Sequence, residues 1–273
     1  MPAATDIRPE SSERLLKELH ILTRDGRLNQ DSRRKLKQVY HLVQFIEPLL
    51  HARLAEQPQL TLVDHGAGKS YLGFILYDLI LKFHAGAHAI GIETRPALVE
   101  RSVALAAELG FARMRFLNLP IEQAITAEAI PGPVDAITAL HACDTATDDA
   151  IRFGLARGVP LMVLVPCCQA EVAAELRRTK ATSLSRGALA ELWRHPLHTR
   201  EFGSTVTNAL RCLLLEAHGY QVSVTELVGW EHSLKNELII ARRAGPPRGN
   251  ARDRTLELLD QLGLRALERR FAY

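Results

Sequence analysis

Short apolar runs alternate with longer stretches of helical periodicity through the middle of the chain. The runs are rich in Val, Ile, Leu and Ala, whereas the segments between them repeat their apolar positions every three or four residues. Such runs suit strands buried on both faces, and the intervening helices supply the crossovers between parallel neighbours. The pattern predicts an α/β fold with parallel strands at Leu60–Val63, Ala89–Ile92, Met114–Leu117, Ala136–Leu140 and Leu161–Val165.

Two further strands are predicted near the end of the chain, at Gln221–Val228 and Glu237–Ala241. Only residues 229–236 connect them, which is too short for a crossover helix, so we expect an antiparallel pair at one edge of the sheet. The helices predicted around the strands are Tyr71–Phe83, Pro96–Leu109, Asp148–Leu155 and Ser204–His218.

Both ends of the chain carry additional helical patterns. One helix is predicted to begin at a cap, Asp31 or Ser32, and to continue to about Leu54, with Pro48 kinking or dividing it. A terminal helix is predicted over 251–271. We expect three parts: a helical extension over 1–55, the main domain over 56–243, and a linker with a C-terminal helix over 244–273.

The first predicted strand runs into a glycine-containing loop, Gly66-Ala67-Gly68-Lys69-Ser70, that opens a helix. Glycine lets the backbone approach a ligand, and the helix N-terminus favours polar or anionic groups. Lys69-Ser70 suggests a phosphate-binding P-loop, but that pattern needs a glycine where Val63 stands. The dinucleotide pattern GxGxxG fails as well, because Tyr71 occupies the position of its last glycine.

Two acidic residues accompany the loop. Asp64 stands at the end of the first strand, and Glu93 ends the second, 25 residues beyond Gly68. An acid in the second position can accept both hydroxyl groups of a ribose. The loop and its acids resemble the S-adenosylmethionine site of class I methyltransferases. Those enzymes have a Rossmann-like, seven-stranded, mostly parallel sheet with an antiparallel edge strand and helices on both faces.

This resemblance implies a cofactor, S-adenosyl-L-methionine, and a role for each matching position. The first acid and the loop would face the amino-acid part of the cofactor, the second acid would hold the ribose, and residues after the third strand would border the adenine. A tight turn without a ligand is the alternative explanation of the glycines. The cofactor-binding residues implied are Asp64, Gly66, Ala67, Gly68, Lys69, Glu93, Thr94, Asn118, Leu119 and His141.

Four motifs make the resemblance more specific. They are similar to those of a methyltransferase-like family that includes the methyltransferase half of glutathione-S-transferase C-terminal-domain-containing proteins, and together they cover about residues 60–243. That family implies a fold and a cofactor but no firm substrate. The motifs are Asp64-His65-Gly66-Ala67-Gly68-Lys69-Ser70-Tyr71-Leu72, Ala139-Leu140-His141-Ala142-Cys143, Val165-Pro166-Cys167-Cys168 and Glu231-His232-Ser233-Leu234-Lys235-Asn236.

Reactive side chains follow the fourth and fifth predicted strands. Ligands of open α/β sheets bind outside the carboxyl ends of the strands, and we expect the first, fourth and fifth strands to be near neighbours. The side chains after these strands can therefore line one cleft, where a methyl acceptor belongs. The candidate catalytic residues are His141, Asp144, Cys167 and Cys168, with Cys143 beside them.

Three mechanisms fit these residues. In the first, the pocket orients a nitrogen or oxygen acceptor for in-line attack, and His141 or Asp144 takes its proton. In the second, a cysteine thiolate adds to C6 of a pyrimidine and activates C5. In the third, His141 and the cysteines bind a metal, but their irregular spacing leads us to expect none. Cysteine also serves as a small buried hydrophobe, which is our interpretation of Cys212.

The net charge of the chain, +3, is too small to favour a nucleic acid as partner. Only local clusters of basic residues favour one. Basic clusters lie at residues 33–37 and 177–200, the second just after the cysteine pair, and such clusters are the electrostatic footprint of phosphate binding. Solvated surface is the ordinary explanation of a charge run. We expect RNA as the substrate, and the alternative is a non-catalytic binding module that retains the methyltransferase fold.

The location of the protein is predicted from what the chain lacks. No apolar run approaches the length of a transmembrane helix, and the first residues do not form a secretory signal. The four cysteines are then expected to be reduced thiols in a cytoplasmic protein without a membrane partner.

Overall fold

The computed structural model describes residues 7–68, 70–130, 132–140, 145–166, 169–178, 188–226, 237–247 and 249–273. The strands of this part of the chain are β1 Gln59–His65, β2 Gly86–Glu93, β3 Met114–Asn118, β4 Ala136–Leu140, β5 Leu161–Val165, β6 Tyr220–Glu226 and β7 Glu237–Arg243. Its α-helices are α1 Glu13–Glu18, α2 Gln30–Glu56, α3 Tyr71–Leu79, α4 Pro96–Glu108, α5 Ile121–Ala124, α6 Thr145–Arg157, α7 Glu171–Arg178, α8 Pro196–Ala217, α9 Ala251–Gln261 and α10 Glu268–Phe271.

All seven strands belong to one sheet, in the order β3-β2-β1-β4-β5-β7-β6. Strands β1 to β5 pair in parallel, and β7 is antiparallel to both of its neighbours, β5 and β6. The predicted fold class is confirmed, including the antiparallel pairing at one edge. The order reverses between β1 and β4, and open α/β sheets bind ligands at such a switch point, outside the carboxyl ends of the strands.

Apolar side chains of the strands alternate between two cores, one on each face of the sheet. On β1, Leu60 and Leu62 join the core beneath α1, α2, α3 and α4, whereas Val63 joins the core beneath α5, α6 and α8. On β2, Ala89 and Ile90 divide in the same way. Both faces are therefore covered by helices, which explains why the strands have continuous apolar runs.

The N-terminal helices differ from the prediction in two details. The cap of α2 is Asn29, whose side chain accepts a hydrogen bond from the Ser32 amide at 2.8 Å, so the prediction of Asp31 or Ser32 as the cap was wrong. Pro48 does not divide α2, which continues from Gln30 to Glu56 with the proline on its exposed side. The division of the chain at residue 55 stays a prediction.

The end of the chain is not the single helix predicted for 251–271. Helix α9 stops at Gln261, and a short 3₁₀ turn, Arg265–Leu267, precedes α10. Gly263 causes the break, because its left-handed backbone (φ 69°) ends the helix while the Leu264 amide bonds back to the Leu259 carbonyl at 2.7 Å. Helices α3 and α4 begin at Tyr71 and Pro96, as predicted. Helices α6 and α8 begin earlier than predicted, at Thr145 and Pro196.

Within the described ranges, no helix has both the length and the apolar character needed to cross a bilayer. The buried face of α9 instead packs with α7, α8 and α10 in a third, smaller core that includes Leu259, Leu264 and Phe271. The predicted C-terminal helical segment is thereby attached to α8, which packs against β6.

Gly203 sets the approach of α8 to α7, because a Cβ atom there would lie 2.9 Å from both the backbone nitrogen and the Cα of Ala173. Replacing Gly203 with Ala should lower the free energy of unfolding by about 1–3 kcal/mol, although alanine normally favours a helix, since the backbone of α7 has to move. Urea denaturation measures this change. Thr205→Ala, two residues along on the exposed side of α8, is the control, and equal stability of the two variants would contradict the close contact.

Candidate active site

The glycine loop after β1 is held against β2 by backbone contacts. The Ala67 amide donates to the Ile92 carbonyl at 3.0 Å, and the Gly68 amide donates to Oε2 of Glu93 at 2.8 Å. Gly66 and Gly68 have φ angles of 60° and 56°, in the left-handed region that favours glycine. The sharp turn therefore places the loop backbone directly beside the acid that ends β2.

Asp64 lies beneath the loop and is 4% exposed. Its Oδ1 accepts the hydroxyl of Thr138 on β4 at 2.7 Å, and its Oδ2 accepts the hydroxyl of Ser70 at 3.3 Å. Burial raises the pKa of Asp64 to about 6, against hydrogen bonds from Thr138, Ser70 and the Gly73 backbone that lower it. The carboxyl group thus joins β1, β4, the loop and α3 at the switch point.

Glu93 is also buried, 7% exposed, but its surroundings act in the opposite direction. Burial alone would raise its pKa, yet hydrogen bonds from the Arg95 side chain and from the backbone of Arg95 and Gly68 outweigh it and lower the pKa to about 2. Glu93 is therefore an ionised acceptor throughout the physiological range. A charged hydrogen-bond acceptor therefore lies directly beside the backbone of the glycine loop.

The end of β3 lies beside Glu93, as the cofactor hypothesis requires. Asn118 pairs in register with Glu93, and its side-chain amide donates to the Glu93 carbonyl at 2.9 Å. Leu119 is half-buried and Thr94 is exposed. The structure therefore brings Glu93, Thr94, Asn118 and Leu119 together with Gly66, Ala67 and Gly68 at one edge of the sheet.

His65, the last residue of β1, was noted in the sequence only as part of a motif. It is fully buried, and its ring meets Phe153 of α6 edge-on, with the centroids 4.5 Å apart. Neither ring nitrogen has a hydrogen-bond partner among the described residues. Burial lowers the pKa of His65 to about 3, so the imidazole is neutral and serves here as packing under the loop.

Several predicted site residues lie outside the described residues: Lys69, His141, Cys143, Asp144, Cys167, Cys168 and the motif at 231–236. Their roles stay predictions. The strand ends that precede two of these segments are adjacent, because Leu140 of β4 pairs in register with Val165 of β5. Cys212 is described, and it packs against the core beneath α8, where burial raises the pKa of its thiol to about 12.

A buried polar network connects the flanks of the three segments that carry the remaining motifs. Asn208 of α8 accepts from Gln169, just after the cysteine pair, at 2.8 Å, and donates to Glu237 at the start of β7. Arg211, 1% exposed, donates to Asn208 and pairs with Asp148 near the start of α6 at 2.6 Å. Helix α8 therefore holds Asp148, Gln169 and Glu237 in fixed positions relative to one another.

The two basic clusters differ in how much of their charge is compensated. In the cluster at 177–200, Arg178, Arg194 and Arg200 each form an ion pair of 2.9–3.0 Å with a neighbouring glutamate. In the cluster at 33–37, Arg34, Lys35 and Lys37 are exposed. Arg177 of the second cluster is exposed, and Lys180 and Arg186 lie outside the described residues. Among the described residues, exposed cations without an ion pair are therefore more numerous on α2.

Three residues at the site were given no role from the sequence: Ser70 and Thr138, which bond Asp64, and Arg95, which bonds Glu93. Thr138 had a recognisable signal, since it is the polar position within the apolar run of β4. Arg95 had none, because an arginine in a loop before a helix is ordinary surface composition.

Replacing Asp64 with Asn should change how stability depends on pH. The folded protein binds the Asp64 proton more tightly than the unfolded chain, so the wild type loses stability relative to the variant as pH rises through 6. Between about pH 4.5 and pH 7.5 the difference should grow by about 2 kcal/mol, measured by urea unfolding. Asp253→Asn on the exposed side of α9 is the control, and parallel pH profiles for Asp64→Asn and wild type would contradict the raised pKa.

Comparisons with known proteins give the family. A family model described as a methyltransferase domain matches residues 34–175, just over half of the chain. The comparison with curated proteins found no match. Among solved structures, magnesium protoporphyrin IX methyltransferase from Synechocystis PCC 6803, with bound SAH, is 14% identical, with 86% of this chain and 96% of that chain covered and a TM-score of 0.48.

Two other similar structures are an rRNA methylase from Streptococcus thermophilus and fibrillarin from Aeropyrum pernix with bound S-adenosyl-L-methionine. The first is 12% identical over 72% of this chain and 95% of that chain, with a TM-score of 0.43. The second is 11% identical over 67% of each chain, with a TM-score of 0.41. At these identities the likeness concerns the fold alone. The chain belongs to the family whose model is described as a methyltransferase domain.

Proposed function

We propose that the protein transfers a methyl group from S-adenosylmethionine to RNA, at a nitrogen or oxygen acceptor. The observation that carries the cofactor assignment is the Gly68 amide bonded to the ionised Glu93 at the carboxyl edge of the sheet, beside the switch point. The RNA assignment is carried by the exposed cations of α2. We also propose that the protein belongs to the methyltransferase-like family that includes glutathione-S-transferase C-terminal-domain-containing proteins. We propose a cytoplasmic location for it.

Each cofactor-binding residue has a physical task in this proposal. Glu93 accepts the ribose hydroxyls, Gly66, Ala67 and Gly68 offer backbone to the amino-acid part, and Asn118 and Leu119 border the adenine. Asp64 is a positioning residue, because both of its oxygens already bond protein groups and its effect passes through the loop. When bound, S-adenosylmethionine supplies an electrophilic methyl group on a sulfonium.

We infer where the methyl acceptor binds from the adjacent carboxyl ends of β4 and β5. His141 and Asp144 would accept the proton released by an attacking nitrogen or oxygen, which is ordinary general-base work for these side chains. Cys167 and Cys168 would line the same cleft after β5. In-line methyl transfer depends mainly on holding two reactants in the right geometry. The α8 network holds Gln169 and Asp148, which lie close in sequence to these residues.

Replacing Glu93 with Gln should weaken S-adenosylmethionine binding at least about tenfold, because hydrogen bonds to a charged group are among the stronger ones. Isothermal titration with S-adenosylmethionine, ATP and NAD measures it, and the wild type should bind only the first. Glu100→Gln, exposed on α4, is the matched control. Equal affinity of Glu93→Gln and wild type would contradict the ribose assignment, and preference for ATP or NAD would contradict the cofactor.

Labelled methyl transfer identifies the acceptor class. Wild-type protein with methyl-labelled S-adenosylmethionine should label total RNA in a nuclease-sensitive way, and Glu93→Gln should label it at least about tenfold less, in line with its weaker cofactor binding. Label in protein or in small molecules would contradict the RNA proposal.

A second arm separates the two chemistries. If the methyl acceptor is a nitrogen or oxygen atom, RNA that contains 5-fluoropyrimidines should form no covalent complex with the protein. A trapped complex that is lost in Cys167→Ser or Cys168→Ser would instead establish the carbon mechanism.

A further inference from the structure

The carboxylate of Glu93 already accepts more hydrogen bonds than its two oxygen atoms can accommodate with good geometry. Oε1 accepts from the Arg95 amide at 3.0 Å, from Nε of Arg95 at 2.9 Å and, more weakly, from the Thr94 hydroxyl at 3.4 Å. Oε2 accepts from the Gly68 amide at 2.8 Å and from Nη2 of Arg95 at 3.1 Å. An ionised carboxylate offers about four acceptor sites, so two ribose hydroxyls can enter only if existing donors leave.

The backbone donors cannot leave without rebuilding the site. The Gly68 amide belongs to the loop that β2 holds through Ala67 and Ile92. The Arg95 amide is fixed because Pro96 follows it, which restricts Arg95 to the extended backbone observed (φ −88°, ψ 109°). These two bonds therefore persist whether or not a cofactor is bound.

The Arg95 guanidinium is the donor that can move. Its side chain is 66% exposed, whereas that of Glu93 is 7% exposed. Because the guanidinium stands largely in water, it can turn away from Glu93 and stay solvated. Ribose hydroxyls can then take over its hydrogen bonds to the buried carboxylate.

The guanidinium also lies over the open side of the glycine loop. A Cβ atom built on Gly68 would meet Nη2 of Arg95 at 3.7 Å and the Gly66 carbonyl at 3.8 Å, both at ordinary contact distance. Among the described residues, the space beside Gly68 is therefore bounded by the arginine rather than filled by packed core. A nucleoside that reaches Glu93 across the loop must pass this group.

From these contacts we infer that Arg95 occupies the ribose position at Glu93 in the free protein and competes with the cofactor, so that this side chain sets cofactor affinity. The inference rests on the proposed use of Glu93 for the ribose. It adds a residue that opposes binding at the same carboxylate, and it predicts the opposite sign of effect for two neighbouring substitutions.

Arg95→Ala should bind S-adenosylhomocysteine about three- to fivefold more tightly than wild type, the scale of an exposed ion pair. Titration calorimetry with this product, which lacks the sulfonium charge, measures it. Arg95→Lys should fall between the two, because an ammonium group keeps the charge without the two-pronged contact. Arg101→Ala, on α4, is the control and should leave the affinity unchanged.

A ligand without the hydroxyls separates competition from a general charge effect. The higher affinity of Arg95→Ala relative to wild type should be seen with methylthioadenosine and S-adenosylhomocysteine. It should vanish for the 2′,3′-dideoxy form of methylthioadenosine, which lacks the ribose hydroxyls. An equal gain for the dideoxy form would overturn the inference, because it would show that the arginine acts through overall charge.

The outcomes also separate this inference from the proposed function. If the wild type binds and Arg95→Ala binds equally or more weakly, the competition is refuted while the cofactor assignment stands. If Glu93→Gln binds as well as wild type, the ribose assignment fails, and the competition fails with it. Binding by Arg95→Ala where wild-type binding is too weak to detect would be the strongest support.

Discussion

A buried carboxyl group holds the site together. Asp64 stands where the strand order reverses. It bonds Thr138 on the adjacent strand β4 and also Ser70 at the start of α3. The glycine loop must leave β1 and enter α3 within a few residues, with Ser70 itself in a left-handed conformation (φ 51°). A non-glycine residue in that conformation carries strain, which the bonds around Asp64 offset. The loop geometry, and everything placed against it, depends on this anchor.

The two acids of the site show how environment divides one functional group into two roles. Asp64 and Glu93 both lie at the carboxyl ends of parallel strands and both are nearly inaccessible, yet the pKa of the first is raised to about 6 and that of the second is lowered to about 2. The difference comes from Arg95, whose guanidinium and amide stabilise the charge on Glu93, whereas Asp64 has only neutral donors. Asp64 therefore supports the backbone, and Glu93 is left as the charged acceptor that faces the cleft.

Helix α8 performs the corresponding task for the other side of the cleft. A buried arginine paired with an aspartate is weak support for stability, because desolvation offsets most of the attraction. The network fixes positions instead. Arg211 bonds Asp148, and Asn208 bonds Gln169 and Glu237, so these three residues are held at set distances from one another. These residues border the segments that carry the histidine and cysteine motifs.

The sequence by itself determined the parts of this protein that follow from local periodicity. It predicted the parallel strands, the antiparallel pair and the glycine loop, because burial on both faces requires continuous apolar runs and a sharp turn requires glycine. Glu93 could also be placed at a strand end by counting along the chain.

Only the tertiary structure decided which polar groups meet. The bond from Thr138 to Asp64 joins residues 74 positions apart, and that from Arg211 to Asp148 joins residues 63 apart. The ion pair between Arg95 and Glu93 is local, yet its importance depends on the Gly68 amide, which the loop after β1 brings to the same carboxylate. Such contacts leave no periodic signal in the chain, because they arise when the sheet and helices pack and each buried polar atom must find a partner.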